Sequence, residues 1–290
     1  MKKLILGCGY LGRRVAQAWL ADGQEVLALT RSSQRASELE AGGIQPIVGD
    51  VTSSFHLSDC GDIDTVLFAV GFDRTAGKGI RDVYVEGLRR TLDQLPMPPR
   101  RFIYISSTGV FAQNDGQWVD ENSACEPVRE GGRACLAAEA LLRRHPIHQR
   151  AIILRLAGIY GPDRLPKLQD VLSGKPIPAS ANGYLNLIHV DDAAGIVLAA
   201  EQQAVAPELL LVSDGHPVLR GDFYRALARL TNSPEPRFAD PHVESSSRQR
   251  GSTDKRINSS KLRERLQFAY RYPSYVEGIA EIVGDVARGE

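Results

Sequence analysis

The sequence predicts an α/β protein, a doubly wound parallel sheet carrying a small substrate-type region toward its C-terminus. Three observations predict it. Short β-rich runs alternate with helical patterns through the first 160 residues, as parallel strands joined by crossover helices do. The first of these runs leads straight into a glycine-rich turn, and the regular alternation fades beyond about residue 160.

In chain order, KLILG is a short apolar strand, residues 12–21 form a helix, and EVLALT is the second strand. A helix at 34–41 leads to QPIVGD, then TVLFAV, and a helix at 80–95 leads to RFIYIS. These strands are apolar along most of their length, as burial on both faces requires. EGGRACLAAE starts the next helix and AIILRL is the sixth strand, so residues 1–160 read as a dinucleotide-type domain. Residues 161–290 read mostly as a smaller domain: a helix at 167–172, a Pro/Gly-rich stretch (GKPIPASANG), the segment NLIHVDDAAGIVLAAE, a strand ELLLVS and closing helices. Parts of residues 185–215 are expected to return and finish the sheet. HVESSSRQRGSTDKR reads as a polar, mobile loop.

Composition narrows the partners. Lys plus Arg and Asp plus Glu are equal at 35 each, so net charge points to neither nucleic acid nor an anionic membrane. The N-terminus lacks a signal-peptide pattern, and no apolar run reaches the roughly 18 residues a membrane span needs. Cys8, Cys60, Cys125 and Cys135 are too scattered for a zinc module and too few for a disulfide scaffold, so no metal site is expected. A cytoplasmic protein with reduced thiols is the expectation.

Gly7, Gly9 and Gly12 have G-x-G-x-x-G spacing after a strand and at the start of a helix, the context that marks a Rossmann dinucleotide site. Gly7 permits the tight turn, Gly9 lets the backbone approach a pyrophosphate, and Gly12 allows close helix–strand packing, with Tyr10 and Leu11 completing the loop. The helix N-terminus favours an anion. An NAD site usually places an acid at the end of the second strand for the ribose 2′-hydroxyl, whereas arginine can take a 2′-phosphate. Here the strand ends at Thr30-Arg31 and Arg35 follows, which favours NADP, with NAD the alternative; the same arginines also suit a solvated loop. Asp50-Val51 after the third strand and Ala69-Val70-Gly71 after the fourth lie where an adenosine and pyrophosphate would pass, or close ordinary turns.

GCGYLG, ISSTGVFA, LRLAGIYGPDR, LIHVDDAAGIVLAA and INSSKLRERLQF occur in one order across residues 4–268. With these blocks the chain resembles an extended short-chain dehydrogenase/reductase of the NAD-dependent epimerase/dehydratase type, nearer its atypical members than its sugar-nucleotide epimerases. The resemblance implies a Ser/Thr, a Tyr and a Lys four residues after the Tyr. The tyrosine would exchange a proton with a substrate hydroxyl, while the lysine would bind the nicotinamide ribose and lower the tyrosine pKa. Val110-Phe111 and Glu139, taken as anchors, place the serine role on Ser107, the tyrosine position at Gly131 and the lysine position at Cys135. Glycine carries no proton and a thiol offers no fixed positive charge, so both members of the pair are missing there.

Arg133 and Tyr84 are the candidate substitutes, one to bind a ribose or an anionic substrate and the other to supply a proton; each also suits an ordinary surface or packing role. Cys135 as a nucleophile lacks an activating histidine. His189, Asp191 and Asp192 frame the substrate side in relatives or form a strand-to-helix turn, and Tyr160-Gly161-Pro162 makes the entry to that region. Arg164, Lys167, Lys255 and Arg256 can meet an anionic substrate or simply be solvated. The expected function is an NADP-linked epimerase/dehydratase-like oxidoreductase on an unknown small molecule, sugar-nucleotide-like among the options. The alternative is a non-catalytic NADP-binding sensor or regulator. The helices near Ile80 and Leu136 pair into a dimer bundle in relatives, which implies a homodimer.

Overall fold

The computed structural model describes residues 1–53, 55–238 and 254–288, with side chains described as far as 284. In chain order the first half comprises β1 (Lys2–Leu6), α1 (Gly12–Ala21), β2 (Glu25–Thr30), α2 (Ser33–Ala41), β3 (Gln45–Val48), β4 (Thr65–Phe68), α3 (Gly87–Gln94), β5 (Arg101–Ser107), β6 (Gln117–Val119) and α4 (Glu130–Arg144). The second half comprises β7 (Ala151–Leu156), β8 (Gly158–Tyr160), α5 (Leu168–Leu172), β9 (Tyr184–Leu185), β10 (Leu187–His189), α6 (Val190–Gln203), β11 (Glu208–Val212), β12 (Val218–Leu219), α7 (Arg220–Leu230), β13 (Lys255–Ile257), α8 (Ser260–Leu266) and α9 (Tyr275–Arg288).

Seven strands form one sheet in the order β11-β7-β5-β4-β1-β2-β3. The doubly wound architecture expected from the alternating pattern is therefore present, and ELLLV supplies a seventh strand beside the six read in the first 160 residues. β1 pairs in parallel with both β2 and β4, with Leu4 opposite Leu27 on one side and Val66 on the other. Strand order thus reverses at β1/β4, the kind of switch point outside which open α/β sheets bind ligands.

Contacts divide the chain into two compact units. Unit one is Met1–Val110, Glu126–Arg155 and Ala194–Leu210. Its sheet is apolar on both faces: Leu4, Leu6, Val66, Phe68, Phe102 and Ile153 pack on one, and Ile5, Leu67, Ile103 and Ile152 are buried on the other. α1 buries Gly12, Val15, Ala16 and Trp19, the i, i+3, i+4, i+7 stripe of a helix laid on a sheet. The helix expected at 80–95 contains a π turn at Asp82–Glu86 before α3, a local widening that the apolar periodicity does not signal.

Unit two is Phe111–Cys125, Leu156–Ala193 and Leu211–Glu290. Its core gathers Tyr160, Val171, Leu187, Phe223, Leu227, Ile279 and Ile282. β10 pairs in parallel with β8, β12 pairs antiparallel with β9, and β13 pairs in parallel with β6. This last pairing corrects part of the mobile-loop reading of the polar stretch. Residues 242–253 lie outside the described residues, but Lys255 and Arg256 belong to a strand that pairs with Gln117–Val119 and is bonded on its other edge by the Asn186 side-chain amide. No helix among the described residues is long and apolar enough to cross a membrane.

Candidate functional site

The glycine turn follows β1 at the sheet's switch point. Gly7 has φ +94°, and an added Cβ there would lie 2.6 Å from Val70 N and closer still to the Ala69 carbonyl, so the turn after β1 and the end of β4 touch backbone to backbone. At Gly12 an added Cβ would come within 2.5 Å of Gly7 O and 3.2 Å of Ile5 Cγ2. Gly9 differs: an added Cβ there meets nothing within 4 Å. Two glycines are thus required by protein contacts, while the middle one faces open space, the arrangement a pyrophosphate cradle needs. No side chain caps α1, and its first turn holds no acid, so its N-terminal field remains positive toward an anion. Leu11 is buried; Tyr10 is half-buried and carries the Arg14 guanidinium 4.6 Å from its ring centroid. Ala69 and Val70 are half-buried, and Gly71 is exposed with no atom within 4 Å of an added Cβ.

Thr30 ends β2, and Arg31 just beyond it is half exposed, with Nη2 3.1 Å from Asp73 Oδ2. Asp73 is itself fixed, because its Oδ1 accepts from Thr75 N at 2.9 Å and Thr75 Oγ1 at 2.7 Å. Those bonds and the Arg31 charge hold its pKa down to about 2. Arg35 and Arg13 approach one oxygen of Glu38, at 3.4 and 3.5 Å. Asp50 accepts from Thr52 N at 2.8 Å and Thr52 Oγ1 at 2.9 Å, closing a turn, and the Val51 side chain is buried in the unit-one core.

At the end of β5, Ser106 and Ser107 do different work. Ser106 is buried and donates to Glu139 Oε1 at 2.6 Å. Glu139, fully buried, also takes Arg155 Nε at 2.9 Å, Arg155 Nη2 at 2.7 Å and Arg143 Nη2 at 3.0 Å. A two-point guanidinium–carboxylate pair of this kind compensates a buried charge. Ser107 is half-buried, and its Oγ accepts the Gly109 amide at 3.0 Å, leaving its own proton available to a ligand oxygen. An added Cβ on Gly132 would run into Gly109 O and lie 2.7 Å from Pro127 Cβ, so this glycine lets α4 start against the Ser107 turn. Gly131 is less constrained, its added Cβ meeting only Ile80 Cδ1 at 3.5 Å.

Cys135 is buried on α4, and burial pushes its thiol up to about 12, with Glu139 adding to the effect and a Ser106 hydrogen bond opposing it. It is a neutral thiol at physiological pH, which removes the nucleophile reading and leaves no cation at this position. Tyr84 sits in the π turn, edge-on to Phe72 with ring centroids 6.4 Å apart. Burial raises its pKa, Cys135 raises it further, and a hydrogen bond with the Phe72 backbone opposes the shift. Arg133 is exposed and donates to Val128 O at 2.8 Å, five residues back, and it is not among the groups that shift Tyr84.

In unit two, His189 is buried and its Nδ1 accepts the Asp191 amide at 3.3 Å. Asp192 is buried and accepts the Arg271 and Tyr272 amides at 2.8 and 2.9 Å, anchoring a backbone turn. Tyr160 packs edge-on against His189 and donates to Ser274 O at 3.3 Å. Gly161 accepts the Arg164 amide at 3.0 Å, and Lys167, in the left-handed region at φ 56°, caps α5 and pairs with Asp170 at 3.0 Å. The solvated reading of two cations is corrected here. Lys255 is buried with Nζ 3.3 Å from Phe111 O, and Arg256 lies between the Trp118 and Tyr184 rings at 4.9 and 5.2 Å.

Sequence reasoning missed Asp73, Gly132 and the Ser106–Glu139–Arg155 network. The spacing Asp73-x-Thr75 does signal an Asx turn. Its pairing with Arg31, 42 residues away, had no local signal.

The NAD dependent epimerase/dehydratase family model matches residues 4–212. Among solved structures, a Methylobacillus flagellatus protein classed with the NAD-dependent epimerases/dehydratases is 31% identical, aligns over 99% of this chain and 98% of its own, and has a TM-score of 0.80. UDP-glucuronic acid 4-epimerase from Bacillus cereus, solved with UDP-glucuronic acid and NAD, shares the fold at TM-score 0.80 and 20% identity over 99% of this chain and 100% of its own. A Stigmatella aurantiaca 4-hydroxy-2-methyl-3-oxo-4-farnesyl-3,4-dihydroquinoline-1-oxide ketoreductase is 28% identical over 227 residues, 73% of this chain and 67% of that protein. With that match over most of its length and a glycine turn at the switch point of the sheet, the chain belongs to the NAD dependent epimerase/dehydratase family.

Proposed function

We propose that this protein is an NADP-preferring oxidoreductase that reduces a carbonyl of a small molecule without the family's Tyr-Lys pair. The observation that carries the cofactor reading is the end of β2, where Arg31 stands in place of an acid. Gly7, Gly9 and Gly12 would hold the pyrophosphate, and Arg31, with Arg35 and Arg13 on neighbouring elements, would meet a 2′-phosphate. When bound, the nicotinamide supplies or accepts a hydride.

The two hydroxyls suit proton donation, which supports the reductive direction. Ser107 would donate its proton to a substrate oxygen while its own oxygen accepts the Gly109 amide. Tyr84, with its pKa raised, stays protonated at neutral pH and suits donation to the alkoxide that forms as a carbonyl is reduced. The ketoreductase relative supports the same direction. Gly131 and Cys135 at the tyrosine and lysine positions favour a second reading, a sensor that binds NADP without turnover.

A homodimer would use the outer faces of α3 and α4, which border a groove of about 390 Å³ lined by Arg81, Arg89, Asp93 and Arg144 among others. Four free cysteines, three of them buried, accord with a reducing cytoplasm. The test is fluorescence titration of NADPH and NADH on wild type and Arg31→Ala. NADPH is expected to bind at least 10-fold more tightly, and the variant to lose that preference; equal affinities in wild type overturn the NADP reading. NADPH consumption with a panel of ketones then separates the enzyme from the sensor.

A further inference from the structure

The geometry points to Asp73 as a cofactor-discriminating residue that restrains the preference for NADP by holding Arg31. The inference rests on the reading that a nicotinamide dinucleotide sits on the glycine turn with its adenosine ribose at the end of β2. Asp73 follows β4 by five residues and Arg31 follows β2 by one, so both stand beyond the carboxyl ends of strands that flank β1. The pair spans 3.1 Å between Arg31 Nη2 and Asp73 Oδ2.

An exposed ion pair usually means little, because two long side chains must be immobilised to form it. Here one partner is already immobile: the two Thr75 bonds fix Asp73 Oδ1, and Oδ2 is left aimed at the guanidinium. A 2′-phosphate must either share Arg31 with this carboxylate or displace it. A 2′-hydroxyl meets no such opposition and can donate to a carboxylate. Asp73 therefore works against NADP and is neutral or favourable toward NAD. It is a positioning residue, acting on the cofactor through Arg31.

Asp73→Asn tests this cleanly, because an amide oxygen can still accept both Thr75 bonds while the charge is gone. The expected result by calorimetric titration is NADP+ affinity raised about 3- to 10-fold and NAD+ affinity changed less than about 2-fold, in line with the modest strength of exposed pairs. The gain should shrink toward unity in 0.5 M salt, where exposed charges are screened. It should also largely vanish in the Arg31→Ala background, as pairwise coupling requires. A fall in NADP+ affinity, equal movement of both cofactors, or an undiminished gain without Arg31 overturns the inference. Wild type that binds neither dinucleotide overturns the cofactor reading as well, whereas wild type that prefers NADP+ through Arg31 but ignores Asp73→Asn overturns this inference alone.

Discussion

Asp214→Asn should stabilise the protein at pH 8 and do much less at pH 5. Asp214 follows β11 and is 2% exposed. Its Oδ1 accepts the His216 amide at 2.9 Å, while Oδ2 is buried without a hydrogen-bond partner among the described residues. Burial pushes its pKa up to about 7, the His216 amide opposes the shift, and the nearby carboxylates of Asp192 and Glu277 add to it. The fold thus prefers the neutral carboxyl. Below pH 4 both folded and unfolded chains hold the proton and nothing changes; from about pH 4 to 7 the unfolded chain releases it and the folded chain does not, so stability falls as pH rises. The full span from 3.8 to about 7 corresponds to about 4 kcal/mol at 1.36 kcal/mol per pH unit.

An amide keeps the bond to His216 and cannot ionise. The advantage of Asp214→Asn should therefore be about 3 kcal/mol larger at pH 8 than at pH 5. At about 2–4 °C per kcal/mol for a chain of this size, that is roughly 5–10 °C in melting temperature. Thermal scans of both proteins at the two pH values read it directly, and histidines common to both cancel in the difference. A melting-temperature difference between variant and wild type that is the same at pH 5 and pH 8 refutes the reasoning.

Tyr84→Phe should lower carbonyl-reduction turnover on the order of 10²-fold while leaving NADPH affinity within about 2-fold, since a positioned proton donor contributes that much. Unchanged turnover removes Tyr84 from the chemistry. In native protein at pH 8, Cys135 should resist iodoacetamide while half-buried Cys125 labels first, because a thiol raised to about 12 carries almost no thiolate. Mass spectrometry showing Cys135 alkylated as fast as Cys125 contradicts the buried, neutral thiol.

The strands and the glycine turn were legible because their signals are local. Apolar runs separated by helical periods dictate parallel pairing, and Gly7, Gly9 and Gly12 sit within one turn. The chemistry near the turn was less legible because its partners are distant in sequence. Nothing near Arg31 announces Asp73, and nothing near Glu139 announces that Arg155 on β7 neutralises it in the core. EGGRACLAAE drew attention to Gly131, yet backbone contact with Gly109 makes Gly132 the glycine that α4 requires. Lys255 and Arg256 read as solvated from their polar surroundings in sequence; a strand pairing with Gln117–Val119 buries one and stacks the other. The π turn that carries Tyr84 leaves no trace in the apolar pattern.

Gly9→Val tests most directly whether a dinucleotide occupies the glycine turn. An added Cβ at Gly9 meets no protein atom within 4 Å, so the branched side chain should fold without strain while filling the space reserved for the pyrophosphate. Calorimetric titration with NADP+ should show one site per chain in wild type and none in Gly9→Val, with matching circular dichroism spectra. A folded Gly9→Val protein that binds NADP+ as tightly as wild type places the cofactor elsewhere and contradicts the account.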